Sequence, residues 1–127
     1  LPDPVCEGSI LNIGVKNKKQ ILAFTNAADA KNRNNLTLRI SFDEGKTWTK
    51  NWIIDNTTEP KMMSNNSAYS DLVLVNKQQV GILYEKDNYS KIVFTTINWK
   101  KASKTKYKIK FQSISYPNLI ILFKLLL

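Results

Sequence analysis

From Ser9 to Trp99 the chain reads as short apolar runs broken by polar, Asn-rich, Lys-rich or Gly-containing stretches, a pattern that predicts strands and turns and no helix. A run over Ser9–Ile13, a lysine-rich turn at Gly14–Lys19 and a second run over Ile21–Thr25 have the form of a hairpin, and Asn26–Asn34 reads as loop. Leu36 to Ser41 then alternates strictly, which sets Leu36, Leu38 and Ile40 on one face of a strand and Thr37, Arg39 and Ser41 on the other. A turn at Asp43–Gly45, a short strand at Asn51–Ile54 and a polar loop from Asp55 to Ser67 follow. Tyr69–Val75 and Val80–Glu85 pair across Asn76–Gln79, and Lys91–Ile97 adds a further strand. The expectation is an all-β chain of about seven short antiparallel strands.

Composition narrows the chemistry. A chain of 127 residues makes one small domain or part of a larger one. The lone Cys6 excludes an intrachain disulfide, and the absence of His removes Ser-His-Asp, Cys-His and His-zinc catalysis; neither a metal site nor a cofactor is expected. The net charge of +9 is unevenly spread. Residues 1–99 hold twelve Lys and Arg against all ten acids, whereas residues 100–127 hold seven Lys and no acid. The basicity therefore belongs to a tail that is lysine-rich to Lys110 and apolar from Pro117 to Leu127. The final run reads as an appended strand, a surface-active segment or, the favoured reading, sequence in a non-native frame, and residues 100–127 as a whole are expected to form an irregular tail, non-native or disordered. Its apolar run falls short of the roughly 20 residues that span a membrane. Only Tyr107, Phe111 and Tyr116 interleave with its lysines and no base-reading motif is present, so a nucleic-acid or anionic-membrane role ranks last. The sequence opens at Leu1 without a charged and then apolar leader; no signal peptide is visible and the start reads as a cut edge.

One motif specifies architecture. Ser41-Phe42-Asp43-Glu44-Gly45-Lys46-Thr47-Trp48 has the form S-x-D-x-G-x-T-W and resembles the Asp box of sialidase-type β-propellers. Its expected role is structural: Asp43 accepts from backbone N–H groups of the turn, Gly45 takes positive φ and Trp48 folds over it. Around the box lie four more segments in order. Pro4-Val5-Cys6-Glu7-Gly8-Ser9-Ile10 is similar to P-x-C-x-x-S-I, Arg33-Asn34-Asn35-Leu36-Thr37 to R-x-N-L-T, Ala68-Tyr69-Ser70-Asp71-Leu72 to A-Y-S-D-L, and Gly81-Ile82-Leu83-Tyr84-Glu85 to G-x-L-Y-E. Together they resemble the bacterial-type exo-sialidase (neuraminidase) glycosidases over roughly residues 2–99.

The resemblance implies a six-bladed β-propeller with its site at the centre of one face, of which residues 1–99 supply about the last two blades. It implies a glycoside hydrolase that removes terminal sialic acid from sialylated glycans or glycoproteins, secreted or at the cell surface. The substrate carboxylate sits on the carbon that is attacked, so the family holds it with three arginines, one matched by Arg33. A neutral Tyr avoids repulsion by that carboxylate, and Tyr69 matches the nucleophile that reacts with retention. Glu85 matches a glutamate that orients an arginine of the triad. The base Glu, the acid/base Asp and two arginines belong to missing N-terminal blades of the parent protein, so the chain alone is expected to be inactive. The alternative is a non-catalytic or lectin-like Asp-box propeller fragment.

Plainer roles suit the other candidates. Arg39, on the non-leucine face, reads as solvent-facing or cross-strand paired. Tyr84 reads as packing, Trp48, Trp52 and Trp99 as core, Cys6 as a buried small apolar residue, and Glu7 as rim or support.

Overall fold

The structure is a computed structural model that describes residues 1–56 and 66–101, together with the backbone of residues 112–114. Eight strands form two sheets. In the first, β1 (Ser9–Lys16), β2 (Lys19–Ala27), β3 (Leu36–Ser41) and β4 (Lys50–Asp55) lie side by side in chain order. In the second, β5 (Ser67–Asn76), β6 (Gln79–Lys86), β7 (Lys91–Asn98) and β8 (Gln112–Ile114) do the same. All neighbours are antiparallel, so each sheet is a four-stranded meander of the kind that builds one propeller blade. No helix occurs among the described residues.

Each of the seven predicted runs lies within an observed strand, and the turn expected at Gly14–Lys19 tightens to Asn17 and Lys18, both at positive φ, because β1 and β2 stay paired as far as Lys16 and Lys19. The eighth comes from the stretch read as tail: Gln112–Ile114 pairs along Ile92–Phe94 and occupies the free edge of β7, whose backbone donors and acceptors would otherwise face solvent. The rest of the lysine-rich and apolar tail, and most of the polar loop before Ser67, lie outside the described residues.

The sheets bury one face each against the other. Ile21, Ala23, Leu36, Leu38 and Ile40 of the first meet Leu72, Val80, Ile82, Val93 and Ile97 of the second in one apolar core, with β5 packed on β1 and β2. The alternation of β3 is kept, but its second face is not a water face: Thr37, Arg39 and Ser41 are buried as well. Of the two roles open to Arg39, cross-strand pairing is the one observed. Its Nη1 donates to Oδ1 of Asn26 on β2 at 2.6 Å, and Asn26 Nδ2 donates to the carbonyl of Pro2 at 2.8 Å, so the N-terminal segment lies against this face. Burial lowers the Arg39 pKa from its ordinary value.

Polar bonds cross the core where apolar contact alone would leave the sheets free to slide. Ser70 Oγ donates to Thr25 Oγ1 at 3.0 Å within the core, and at the exposed edge Ser9 Oγ donates to Asp71 Oδ1 at 2.8 Å. Tyr84, 1% exposed, donates its phenol to Asp55 Oδ2 at 2.9 Å, and Lys86 Nζ also bonds that carboxylate. Burial first, then the neighbouring carboxylate, pushes the Tyr84 phenol well above the usual tyrosine range, so it is a permanent donor. The glycine of G-x-L-Y-E has a packing reason: a Cβ on Gly81 would fall 2.7 Å from the Phe94 ring and 2.8 Å from Val73 Cγ1.

Tyr84→Phe removes a buried donor from the Asp55 carboxylate and should lower unfolding free energy by about 1–2 kcal/mol. Urea denaturation will show the midpoint fall at unchanged slope; an unaltered midpoint means that the bond contributes nothing net.

Candidate functional site

Arg33 reaches its place through a loop that the sequence shapes locally. Asp29 Oδ1 accepts from the N–H groups of Lys31 and Asn32 at 2.7 and 2.9 Å, an Asx turn that also holds its carboxyl below the ordinary value. The Ala28 N–H donates to the Asn35 carbonyl at 3.1 Å, and Asn35 sits at φ 57°. The loop is then sewn to the start of β5. Ser67 N–H donates to the Arg33 carbonyl at 2.9 Å, Leu36 N–H donates to Ser67 Oγ at 3.2 Å, and Asn66 N–H donates to Asn34 Oδ1 at 3.1 Å.

Tyr69 lies two residues beyond Ser67, so the clamp sets Arg33 beside it. The guanidinium carbon stands 5.1 Å from the centroid of the Tyr69 ring, a cation–π distance. Arg33 Nη1 donates to Tyr89 Oη at 3.0 Å and Nη2 to the Val5 carbonyl at 3.5 Å. Tyr69 is 43% exposed, against 1% for Tyr84, so the two tyrosines on adjacent strands are sorted: one phenol is open to a ligand and the other is committed to Asp55. The Tyr69 N–H donates to Glu85 Oε2 at 3.4 Å across the β5–β6 pair. A shallow cleft of about 200 Å³ is lined in part by Tyr69, Glu85, Glu7 and Asp71. Three carboxylates thus share a cleft with Tyr69, and the Arg33 guanidinium stands over its ring.

Arg33, Tyr69 and Glu85 therefore share one end of the sheets. Glu85 makes no ion pair with Arg33 or with Arg39, the only arginines in the chain. Cys6 departs from the expected buried position: it is half-buried, near enough to Arg33 to feel its charge. Burial raises its thiol pKa more than Arg33 lowers it, so it is not an activated thiolate. Tyr89 and Asp71 were not singled out from sequence. Asp71 lay within A-Y-S-D-L, whereas nothing local marks Tyr89, which follows Asp87 and Asn88 in a turn where all three have positive φ.

The Asp box stands at the other end of β3, away from Tyr69. Ser41 Oγ donates to Asp43 Oδ1 at 2.7 Å and accepts from the Gly45 N–H at 2.8 Å. Asp43 accepts from the Thr47 N–H at 2.8 Å and the Thr47 hydroxyl at 2.5 Å. Gly45 has φ 89°, and Trp48 lies over the turn with its ring 5.6 Å from that of Phe24. These five residues brace a hairpin.

Two four-stranded antiparallel meanders, the first with an Asp box in its β3–β4 hairpin, define a propeller-type β protein, and comparison with known proteins specifies the type. No family model matches the chain. A sialidase from Bacteroides fragilis (strain YCH46) is 36% identical over 90 residues, covering 67% of this chain and 15% of that protein. The solved structure of Hadza microbial sialidase Hz136 superposes with a TM-score of 0.63 at 28% identity, covering 77% of this chain and 18% of that one. The chain is related to the sialidases, and it spans less than a fifth of the length of either relative.

Two variants test these constraints. Ser67→Ala strips the buried Leu36 N–H of its acceptor and should cost about 1–3 kcal/mol; a thermal midpoint equal to that of the unchanged chain would remove the clamp from the argument. The Asp43 carboxyl is lowered from 3.8 to about 2, first by the Thr47 hydroxyl, then by the Thr47 N–H and Ser41. A depressed carboxyl adds stability that is present above its unfolded value and lost as pH falls toward its folded one. Stability should therefore drop between pH 3.8 and about 2, and Asp43→Asn should flatten that part of the pH profile.

Proposed function

We propose that the chain is the C-terminal part of the catalytic propeller of a retaining exo-sialidase, acting outside cells on terminal sialic acid of glycans or glycoproteins. Tyr69 is the nucleophile, Arg33 holds the substrate carboxylate, and Glu85 orients an arginine of the triad that lies outside this chain. The observation that carries the reading is the meeting of Arg33 and Tyr69: residues 36 positions apart are set with the guanidinium 5.1 Å from the ring, on an exposed rim.

The chemistry follows from the substrate. Its carboxylate adjoins the anomeric carbon, so an anionic nucleophile would be repelled, while a neutral phenol is not. A guanidinium beside the ring stabilises negative charge as it grows on the phenol oxygen during deprotonation, and it takes the carboxylate by exchanging its bonds to Tyr89 and the Val5 carbonyl for bonds to the ligand. The phenol still needs a base near neutral pH, since an ordinary tyrosine titrates near pH 10. Glu7, Asp71 and Glu85 line the cleft, but the family base, the acid/base Asp and two arginines are assigned to preceding blades. With two arginines in all, and Arg39 buried on Asn26, the chain cannot assemble the triad alone.

The purified chain should release no fluorophore from a fluorogenic sialoside; turnover would refute the division of labour. In a longer polypeptide that includes the sequence upstream of Leu1, a fluorinated sialoside should trap a covalent adduct that peptide mass spectrometry locates on Tyr69. Tyr69→Phe should lower kcat by about a thousandfold or more. An adduct elsewhere, or an upstream sequence without the acidic and arginine motifs, overturns the proposal and favours a non-catalytic propeller.

A further inference from the structure

A second cleft, of about 560 Å³, lies at the opposite end of the sheets from Tyr69. The β5–β6 register runs from Ser67 opposite Lys86 at the Tyr69 end to Asn76 opposite Gln79 at this one. Its volume is that of small-molecule sites, which combine apolar walls with a few polar groups. Ile13, Ile21 and Leu74 give it aliphatic walls and Phe42 and Trp99 aromatic ones. Lys16, Lys77 and Lys100 also line it, and no carboxylate is among its described lining residues.

The lysines are not neutralised by ion pairs within the described residues. Lys16 Nζ stands 5.5 Å from the Phe42 ring centroid, and Lys100 Nζ 5.3 Å from that of Trp99, so two ammonium groups are folded onto the aromatic walls. Lys50 approaches Phe42 at 5.5 Å as well, which adds a further positive charge nearby. Trp99 is 5% exposed, and its indole N–H is buried without an acceptor among the described residues. A buried donor left unpaired is unusual and gains a bond when an acceptor is brought in. The cleft wall also contains the register shift of β1 between Asn12 and Gly14, a bulge of the kind that re-aims side chains beside binding sites.

We infer that this cleft binds a small amphiphilic anion, with a carboxylate among Lys16, Lys77 and Lys100 and an apolar body against Ile13, Ile21, Leu74 and Phe42. Neither Tyr69 nor Arg33 takes part, so the inference stands apart from the proposed hydrolysis.

The test is a titration of the full chain with naphthoate, followed by amide and indole N–H NMR, beside the neutral naphthalenemethanol of similar shape. Naphthoate should shift the Trp99 indole signal and the amides of Gly14 and Lys77, and bind about tenfold more tightly than the alcohol. Raising ionic strength from about 0.05 to 0.5 M should weaken it several-fold. The double variant Lys77→Gln, Lys100→Gln should lose about tenfold in affinity, and the milder Lys77→Gln alone serves if the double variant fails to give a folded spectrum. Equal binding of acid and alcohol, shifts confined to Tyr69 and Arg33, or no shift at Trp99 each overturns the inference; the last includes the case in which the chain's own apolar residues fill the cleft.

Discussion

Two hydrogen bonds at Ser67 hold the candidate site together. Its N–H meets the Arg33 carbonyl and its Oγ meets the Leu36 N–H, so a residue at the start of the second sheet fixes both sides of the loop that enters β3. A loop held at one end only would let a long guanidinium side chain sample many positions, at a cost in entropy each time it was recruited. Pinned to Ser67 and closed on itself by the bond from Ala28 N–H to the Asn35 carbonyl, the loop holds the Arg33 backbone close to Tyr69, where the proposed site would need it. That is preorganisation by backbone, in which the side chains that meet the ligand need not hold themselves in position.

The sheets divide the work between their ends. At one end lie Arg33, Tyr69, Tyr89 and Glu85, partly exposed and carrying opposed charges. At the other, the Asp box turns its polar groups to its own hairpin, where Asp43 accepts from Ser41 and twice from Thr47. Between them lies an apolar core, crossed from sheet to sheet where Ser70 meets Thr25 and Tyr84 meets Asp55. Those bonds fix the register of one sheet on the other, and register is what the site needs. A slip of one residue along β5 would turn Tyr69 to the opposite face.

Much of this was legible in the chain. Apolar runs and their breaks placed seven strands, because a half-buried strand must alternate and a turn must interrupt it. The Asp box was legible because its chemistry is local: five residues within eight satisfy one another. Arg39 shows where local reading ends. Alternation placed it correctly opposite Leu38, yet its environment is buried, because the N-terminal segment lies on the face that the pattern left open. The eighth strand was likewise read as tail, since three residues beside a lysine-rich run carry no pattern and are recruited by the free edge of β7.

The sequence by itself determined the strands and the brace at Asp43, since each depends on neighbours a few positions away. Only the tertiary structure decided which tyrosine is open and which is buried, that Tyr89 bonds Arg33, and that three lysines from separate segments line one cleft with a Trp99 whose indole N–H has no acceptor among the described residues. Those outcomes rest on contacts between segments tens of residues apart. Period and composition cannot encode them, because side-chain environment is set by whichever sheet packs against it.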